Sequence, residues 1–496
     1  MIKNKIAYEK VAYFVILLGA VIRFAIIPFT AISGDACWHA SVARFIAENM
    51  LIPLFEGLGR PVFWAPPLFH IISAFFYSFL GELGLKLVAP ITGTLSLLFV
   101  YLIVKELFDK RIALLATVFV TFLPNHMYMS TLPYVDTTLS LLLFISVYCA
   151  LKNKIILASI FSGLAMLTKY HAAFIIPVIF FILVLNNKDK IKKLLTYSGT
   201  TIAVGSWWYI RNWLLLGNPV WDFLNNFFKG YVIEKIARTP SILYLFMPTY
   251  LVTFYLDLFG VPSGDYTTLL RLNIPFLATF LFIWFIGTLL YIIPLVIGLG
   301  KIKIHEKQWK ILLVWLSSFL VFGLLYVYDI GVLYARFLMP TYPIFGILWA
   351  HGILMLAKKI KDIQVKNILV TLLVFVILGF VATEFVKAPL AAKEWHNYDK
   401  DFAWVQNNIP QHEKILITRG QCIPYYLKRE TVDYNDKIFR NIEKGSSDIK
   451  YVLVEQLKTR RDTPQFPDHF LKYLEGKELL YNNLATGVNI YKIGEK

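Results

Sequence analysis

Two aspartates and four cations have the strongest claim to chemistry in this chain. Asp35 lies in Ser33-Gly34-Asp35-Ala36-Cys37-Trp38-His39, just past the first apolar run. Asp136 lies in Leu132-Pro133-Tyr134-Val135-Asp136-Thr137, at the end of another. A carboxylate at the mouth of a hydrophobic bundle is expensive unless it has a role. Two of them could act as a general base and its partner, or hold a cation. Lys169 and His171 interrupt Leu164-Ala165-Met166-Leu167-Thr168-Lys169-Tyr170-His171. Arg211 closes Trp207-Trp208-Tyr209-Ile210-Arg211-Asn212, Arg336 follows Tyr334-Ala335, and Arg60 precedes Pro61. Ammonium and guanidinium groups at a bilayer surface suit a phosphate or pyrophosphate. Each residue also has a plainer reading. Asp35 and Asp136 could cap the helices that follow, with Thr137 and Thr138 sharing the second cap. A lone cation near a span end can snorkel to lipid headgroups, and this is the reading for Arg23.

The elements that must position these groups are membrane spans. The chain has 496 residues, 57% hydrophobic and only 16% charged, with a net charge of +17. Soluble domains carry about 25% charged residues. The excess lysine and arginine fall in short clusters between apolar runs: Lys105, Lys110 and Arg111; Lys152 and Lys154; Lys188 to Lys193; Lys301 to Lys310; Lys358 to Lys366. That is the pattern of cytoplasmic loops, and it accounts for the charge without nucleic acid. A span needs about 20 apolar residues, fewer with snorkelling ends. Candidates are 11–28, 87–104, 112–127, 137–151, 155–168, 172–185, 194–210, 274–299, 309–328, 333–356 and 368–382. With the N-terminus inside, these roughly eleven spans place every lysine cluster in the cytoplasm. Asp35, Asp136, Lys169, Arg336 and the loop 211–273 then fall outside, as does the tail. Four cations sharing a side with two carboxylates, against the positive-inside bias, favour a site over snorkelling. The stretches 67–80 and 242–260 are read as interfacial or re-entrant.

The expected architecture is a polytopic α-helical membrane domain, 1–389, with a first extracytoplasmic loop 29–84 and a long outer loop 211–273. A small extracytoplasmic α/β domain, 390–496, follows. In it 402–409 reads as helix, and 414–418, 451–455 and 487–493 read as strands. Residues 36–50 form a helix with Trp38, Val42, Phe45 and Ile46 on a dry face and Ser41, Arg44 and Glu48 on a wet one. Such a helix would lie in the membrane plane. Tryptophans and tyrosines fit interfacial belts, and a few near Asp35 could stack on a sugar. His39, His70 and His126 have no HxxxH or HExxH spacing, so no metal ligands are assigned. Cys37, Cys149 and Cys422 make no CxxC. Cys37 and Cys422 fall on one side, which allows a disulfide that no spacing supports.

Taken in order, several segments resemble the GT-C glycosyltransferases, nearest in pattern to protein O-mannosyltransferases and the aminoarabinose transferases of lipid A. They are Gly34-Asp35 after the first span, the Pro66-Pro67 corner, Phe108-Asp109-Lys110-Arg111-Ile112-Ala113-Leu114-Leu115-Ala116, Tyr134-Val135-Asp136, Gly163-Leu164-Ala165-Met166-Leu167-Thr168-Lys169, and Arg336 with Pro340 and Pro343. The likeness is good from 11 to about 210. It implies transfer of a sugar from a polyprenyl-phosphate-sugar donor to a protein, lipid or glycan acceptor on the extracytoplasmic face, with inversion. It implies that Asp35 acts as base near the acceptor, that Asp136 shapes the same cavity, and that Lys169, Arg211, Arg336 and Arg60 bind the donor phosphate. Trp38, His39, Tyr134 and His171 are the candidates for contact with acceptor or sugar. No cofactor is required, and a divalent metal stays compatible with the two carboxylates. Where relatives carry an acidic residue after Gly-Asp this chain has Ala36, and where the aminoarabinose transferases have a lysine before the proline pair it has Ala65. The tail carries no WWDYG-type signature, which argues against en bloc transfer to asparagine.

The alternative is a transporter or a flippase for a lipid-linked sugar. It would favour ionisable groups near the midplane and related halves with broken helices. Here the charges lie mainly at one surface, and no such halves are evident. A non-catalytic subunit that holds a partner with its outer domain is the third reading.

Overall fold

The computed structural model describes residues 2–53, 63–186, 189–231, 240–259, 274–418, 422–429, 431–455 and 466–493. Among them six helices are long and apolar enough to cross a membrane: Tyr8–Phe29, Glu82–Leu107, Leu281–Leu299, Lys307–Ile330, Ala335–Lys359 and Ile363–Leu390. Shorter apolar helices are Leu68–Leu80, Val135–Leu151, Ile155–Met166 and Tyr170–Leu185. The count of eleven is therefore not reached by length and composition alone. The segment expected at 112–127 breaks at Pro124 into Lys110–Thr121 and Pro124–Met129. Proline has no N–H to continue the helical ladder. Leu68–Leu80 and Thr249–Leu258 are helical but too short to span, as expected of interfacial pieces.

The chain groups into two compact units. The first comprises Met1–Pro28, Trp64–Phe69 and Lys86–Val386; the second comprises Phe29–Phe63, His70–Leu85 and Lys387–Lys496. Within the first, helices bury one side and leave the other apolar and exposed, as lipid-facing helices do. Ala12, Val15 and Ile26 are buried while Phe14, Leu17 and Val21 are exposed. Ile274–Leu299 packs on Tyr342–Lys359. Their backbones meet so closely that a Cβ on Gly352 would lie 1.7 Å from the Pro294 carbonyl oxygen. Small residues permit that approach where no hydrophobic drive exists between helices. On the opening turn of Lys110–Thr121 the Asp109 carboxylate accepts from the N–H groups of Arg111 and Ile112, at 2.7 and 2.9 Å.

Arg23 does not snorkel. It is fully buried. Its guanidinium donates to the carbonyls of Gly19 at 2.9 Å and Thr121 at 3.0 Å, and meets His126 Nδ1 at 2.9 Å. His126 Nε2 lies 3.1 Å from Ser96 Oγ. The break before Pro124 supplies the reason: Arg23 serves the last carbonyl of the helix ending at Thr121.

The second unit carries a five-stranded sheet: β1 (Ile415–Ile417), β2 (Thr431–Asp433), β3 (Tyr451–Glu455), β4 (Glu478–Asn483) and β5 (Val488–Lys492), in the order β2-β1-β3-β5-β4. The pairs β1–β2 and β1–β3 are parallel; β3–β5 and β4–β5 are antiparallel. Strand β3 is a continuous buried run, Val452 to Val454, packed with Phe439, Ile442, Phe466 and Phe470. The helix at the start of this region spans Asp399–Asn408.

The helix Asp35–Asn49 forms as expected, but of the face expected to be wet only Glu48 is exposed. Ser41 and Arg44 are buried. Arg44 pairs with Glu82 at 2.7 Å, donates to the Tyr425 carbonyl at 2.9 Å, and lies 4.7 Å from the Tyr425 ring centroid. Tyr425 Oη donates to Glu82 Oε2 at 2.5 Å, and Tyr426 Oη donates to the Ile32 carbonyl at 2.8 Å. Protein, not water, covers Ser41 and Arg44, and the partners of Arg44 come from distant sequence. Cys37 and Cys422 form a disulfide, the pairing that spacing alone left open. Removing a disulfide that closes a long loop costs about 2–4 kcal/mol. The Cys37→Ser/Cys422→Ser variant is therefore expected to lower the denaturant midpoint of this unit in detergent, followed by tail tryptophan fluorescence. An unchanged midpoint would mean that the bond contributes nothing.

Candidate active site

The carboxylate of Asp136 is the best-placed of the candidates in the first unit. Tyr134, in extended conformation, precedes the helix Val135–Leu151, and no side chain caps it. Asp136 sits in the first turn, and the capping reading for Asp136, Thr137 and Thr138 fails. Thr137 and Thr138 instead meet Thr92 Oγ1, at 3.0 and 3.2 Å. Asp136 is 1% exposed and takes Lys169 Nζ at 2.7 Å. Lys169 is free to reach it because the chain is extended there, between the helix Ile155–Met166 and the 3₁₀ turn Tyr170–Ile175. The Lys169 side chain keeps 23% of its surface.

Phe337 gathers the cations. Lys169 Nζ lies 4.2 Å from its ring centroid, and the Arg336 guanidinium 5.2 Å. Arg336 also faces Tyr134 at 4.9 Å and Tyr334 at 5.2 Å. Such contacts hold a cation in place without neutralising its charge. His171 is buried, stacked on Phe322 at 4.7 Å and 6.0 Å from Phe337. Asp136, Lys169, Arg336, Tyr134 and His171 are thus one neighbourhood. Arg211 belongs to an adjoining cluster. It lies 4.3 Å from the Trp208 ring and donates to Asn212 Oδ1 at 2.7 Å. Asn212 Nδ2 reaches Tyr170 Oη at 2.8 Å, next in sequence to Lys169. The Trp64 carbonyl accepts from Tyr170, Trp208 and Asn212, at 2.6, 3.0 and 3.0 Å, which anchors the segment leading to the Pro66-Pro67 corner.

Asp257 is the residue that sequence reasoning passed over. It is buried on the short helix Thr249–Leu258, and its Oδ2 accepts from the Ala335 N–H at 2.7 Å. Burial pushes its carboxyl up to about 6; Arg336 and the backbone N–H groups of Ala335 and Arg336 pull it down, and Asp136 raises it. An aspartate inside an apolar ten-residue stretch after Pro248 was the available signal.

In the second unit Asp35 is the first helical residue, half-buried, and Gly34 occupies the cap position with φ +58°. Asp35 is thus the first residue inside the helix rather than its cap residue. Trp38 and His39 are buried, with ring centroids 4.8 Å apart, and His39 Nδ1 meets His70 Nε2 at 2.9 Å. Arg60 lies outside the described residues. Among the described residues no three His, Cys, Asp or Glu side chains gather to hold a metal.

Residues 65–207 match the family model of the dolichyl-phosphate-mannose-protein mannosyltransferases. The match takes in the proline corner, Asp136 and Lys169. No curated protein matches the chain. Among solved structures the chain is similar to ArnT from Cupriavidus metallidurans bound to undecaprenyl phosphate, at TM-score 0.60, 12% identity and 98% coverage of both chains. The apo form of that protein gives TM-score 0.64, 12% identity and 97% coverage of both. The oligosaccharyltransferase AglB from Archaeoglobus fulgidus, with an inhibitory peptide and a dolichol-phosphate, gives TM-score 0.53 and 14% identity, over 90% of this chain and 69% of that one. The chain has the GT-C membrane fold, with a small sheet domain at its C-terminal end.

Breaking a buried ion pair by removing one partner costs about 3 kcal/mol, because the remaining charge stays desolvated. Lys169→Met is expected to lower the unfolding midpoint in detergent, and Asp136→Asn/Lys169→Met to regain most of the loss. A Lys169→Met midpoint equal to wild type would remove the pair from the account of stability.

Proposed function

We propose that this multi-pass membrane protein is a glycosyltransferase that moves a sugar from a polyprenyl-phosphate-linked donor to a protein, lipid or glycan acceptor. The observation that carries the reading is the clustering of Lys169 and Arg336 on Phe337 beside the buried Asp136. A polyprenyl tail stays in lipid while its phosphate needs cations at the surface. In the transfer, the acceptor oxygen forms a bond to the anomeric carbon as the bond from that carbon to the phosphate oxygen breaks. The electron pair leaves with the phosphate, and the acceptor proton passes to Asp35. Lys169, Arg336 and Arg211 stabilise the departing phosphate. Arg60 joins them on its sequence position alone. Asp136 holds the Lys169 ammonium in place, and Tyr134 and His171 line the cation cluster. Trp38 and His39 support the turn that presents Asp35. A single displacement of this kind inverts the anomeric centre.

The family match over 65–207 and the ArnT and AglB similarities support a lipid-linked donor. The transporter or flippase alternative gains no support from them. The active face is extracytoplasmic in this reading. Two features favour that side: the topology read from the sequence puts the lysine clusters in the opposite loops, and a disulfide joins Cys37 to Cys422, which suits an oxidising compartment. No metal takes part in the reading.

The test is to incubate the purified chain with radiolabelled polyprenyl-phosphate sugars and candidate acceptors. Label is expected to move to an acceptor, to survive chelation, and to be lost in Asp35→Asn with folding and membrane insertion intact. Full transfer by Asp35→Asn would take Asp35 out of the mechanism. No transfer, and no binding of any lipid phosphate, would favour a non-catalytic subunit.

A further inference from the structure

Arg336 lies at the start of the 3₁₀ helix Ala335–Thr341, and a guanidinium is only as well placed as the backbone that carries it. That backbone is held by a buried polar chain on three other elements. Asp257 Oδ2 accepts from the Ala335 N–H at 2.7 Å, and the Arg336 N–H bonds the same carboxylate. Asn125, at the first turn of Pro124–Met129, donates from Nδ2 to the Asp257 carbonyl at 3.1 Å and to Asp257 Oδ1 at 3.3 Å. Tyr342 Oη donates to Asn125 Oδ1 at 2.7 Å and lies 3.1 Å from the Ala335 carbonyl. A hydroxyl facing Oδ1 and two acceptors facing Nδ2 fix which way the amide points. Asp257, Asn125 and Tyr342 are all buried. A desolvated carboxylate costs several kcal/mol to keep charged, so a site retains one where its charge is used.

We infer that Asp257 is a positioning residue for Arg336: oriented by Asn125 and Tyr342, its carboxylate pins the backbone from which the guanidinium departs and thereby sets the affinity for the donor phosphate. The inference rests on the phosphate-binding role given to Arg336 above. Titratable groups facing Asp257 come from three packed elements: the charged Arg336 on the 3₁₀ helix and Asp136 at the start of Val135–Leu151, and the neutral phenol of Tyr342 at the start of Tyr342–Lys359. On Pro124–Met129 the one titratable imidazole, His126, is turned to Arg23 and Ser96.

The test measures binding of undecaprenyl phosphate to the full chain in detergent. Arg336→Ala is expected to weaken it, and Asp257→Asn to weaken it about tenfold, the worth of a hydrogen bond to a charged group. The double variant is expected to bind no worse than Arg336→Ala alone, because the two act as one unit. The advantage of wild type over Asp257→Asn is expected to shrink as the pH falls below about 6, where the carboxyl takes a proton. Asn125→Ala, which keeps the carboxylate but releases it, is expected to weaken binding too, and serves if Asp257→Asn does not fold. Arg336→Ala binding as wild type overturns the phosphate reading itself. A weakened Arg336→Ala beside an unchanged Asp257→Asn, fully additive losses, or a pH-independent gap overturns this inference alone.

Discussion

A carboxylate in a membrane bundle must be answered by a charge, and the Asp136–Lys169 pair is that answer. With Asp136 almost wholly buried, its partner has to stay close. This constrains the chain around Lys169: the helix from Ile155 must stop at Met166, and the chain must run extended before turning again. The same stop brings Tyr170 to the Trp64 carbonyl and His171 to Phe322. One electrostatic requirement thereby fixes the join of two helices and the anchor of the proline corner. Desolvation gives such a pair little net stability. In the reading proposed above, its value lies in holding an ammonium for the donor phosphate.

Aromatic rings hold Arg336, whereas Lys169 has both a ring and a carboxylate. Tyr134, Tyr334 and Phe337 offer π faces that hold the Arg336 guanidinium without neutralising its charge. Asp257 touches the Arg336 backbone instead. The second unit follows a different logic. There Arg44 is consumed by Glu82 and Tyr425, and together with the disulfide this ties the helix bearing Asp35 to the C-terminal domain. The tail thus has a definite mechanical task within its unit, holding the segment that presents Asp35.

Apolar length and charge clustering made the membrane architecture legible, because the bilayer acts on composition directly. Strand β3 was equally plain, being a continuous buried run. Strand β2 has three residues and β4 reads Glu-Leu-Leu-Tyr-Asn-Asn, so neither carries a usable period. Asp136, Lys169 and Arg336 were readable as ionisable residues at span ends; that Lys169 and Arg336 share Phe337 was not. Arg44 and Arg23 were misread for one reason. Their partners lie far along the chain, and a local pattern cannot distinguish a face turned to water from one turned to another element. Asp257 went unassigned, since its partners Ala335 and Asn125 are visible only in three dimensions.

Whether Lys169 meets phosphate from the outer aqueous face can be tested by replacing its charge chemically. Lys169→Cys provides a reactive thiol in a chain whose other cysteines are a disulfide, Cys37–Cys422, and the buried Cys149. A membrane-impermeant trimethylammonium-ethyl thiosulfonate, applied to the extracytoplasmic side of sealed vesicles, should restore sugar transfer, and its sulfonate counterpart should not. Recovery with either reagent, or labelling only from the cytoplasmic side, would contradict the account.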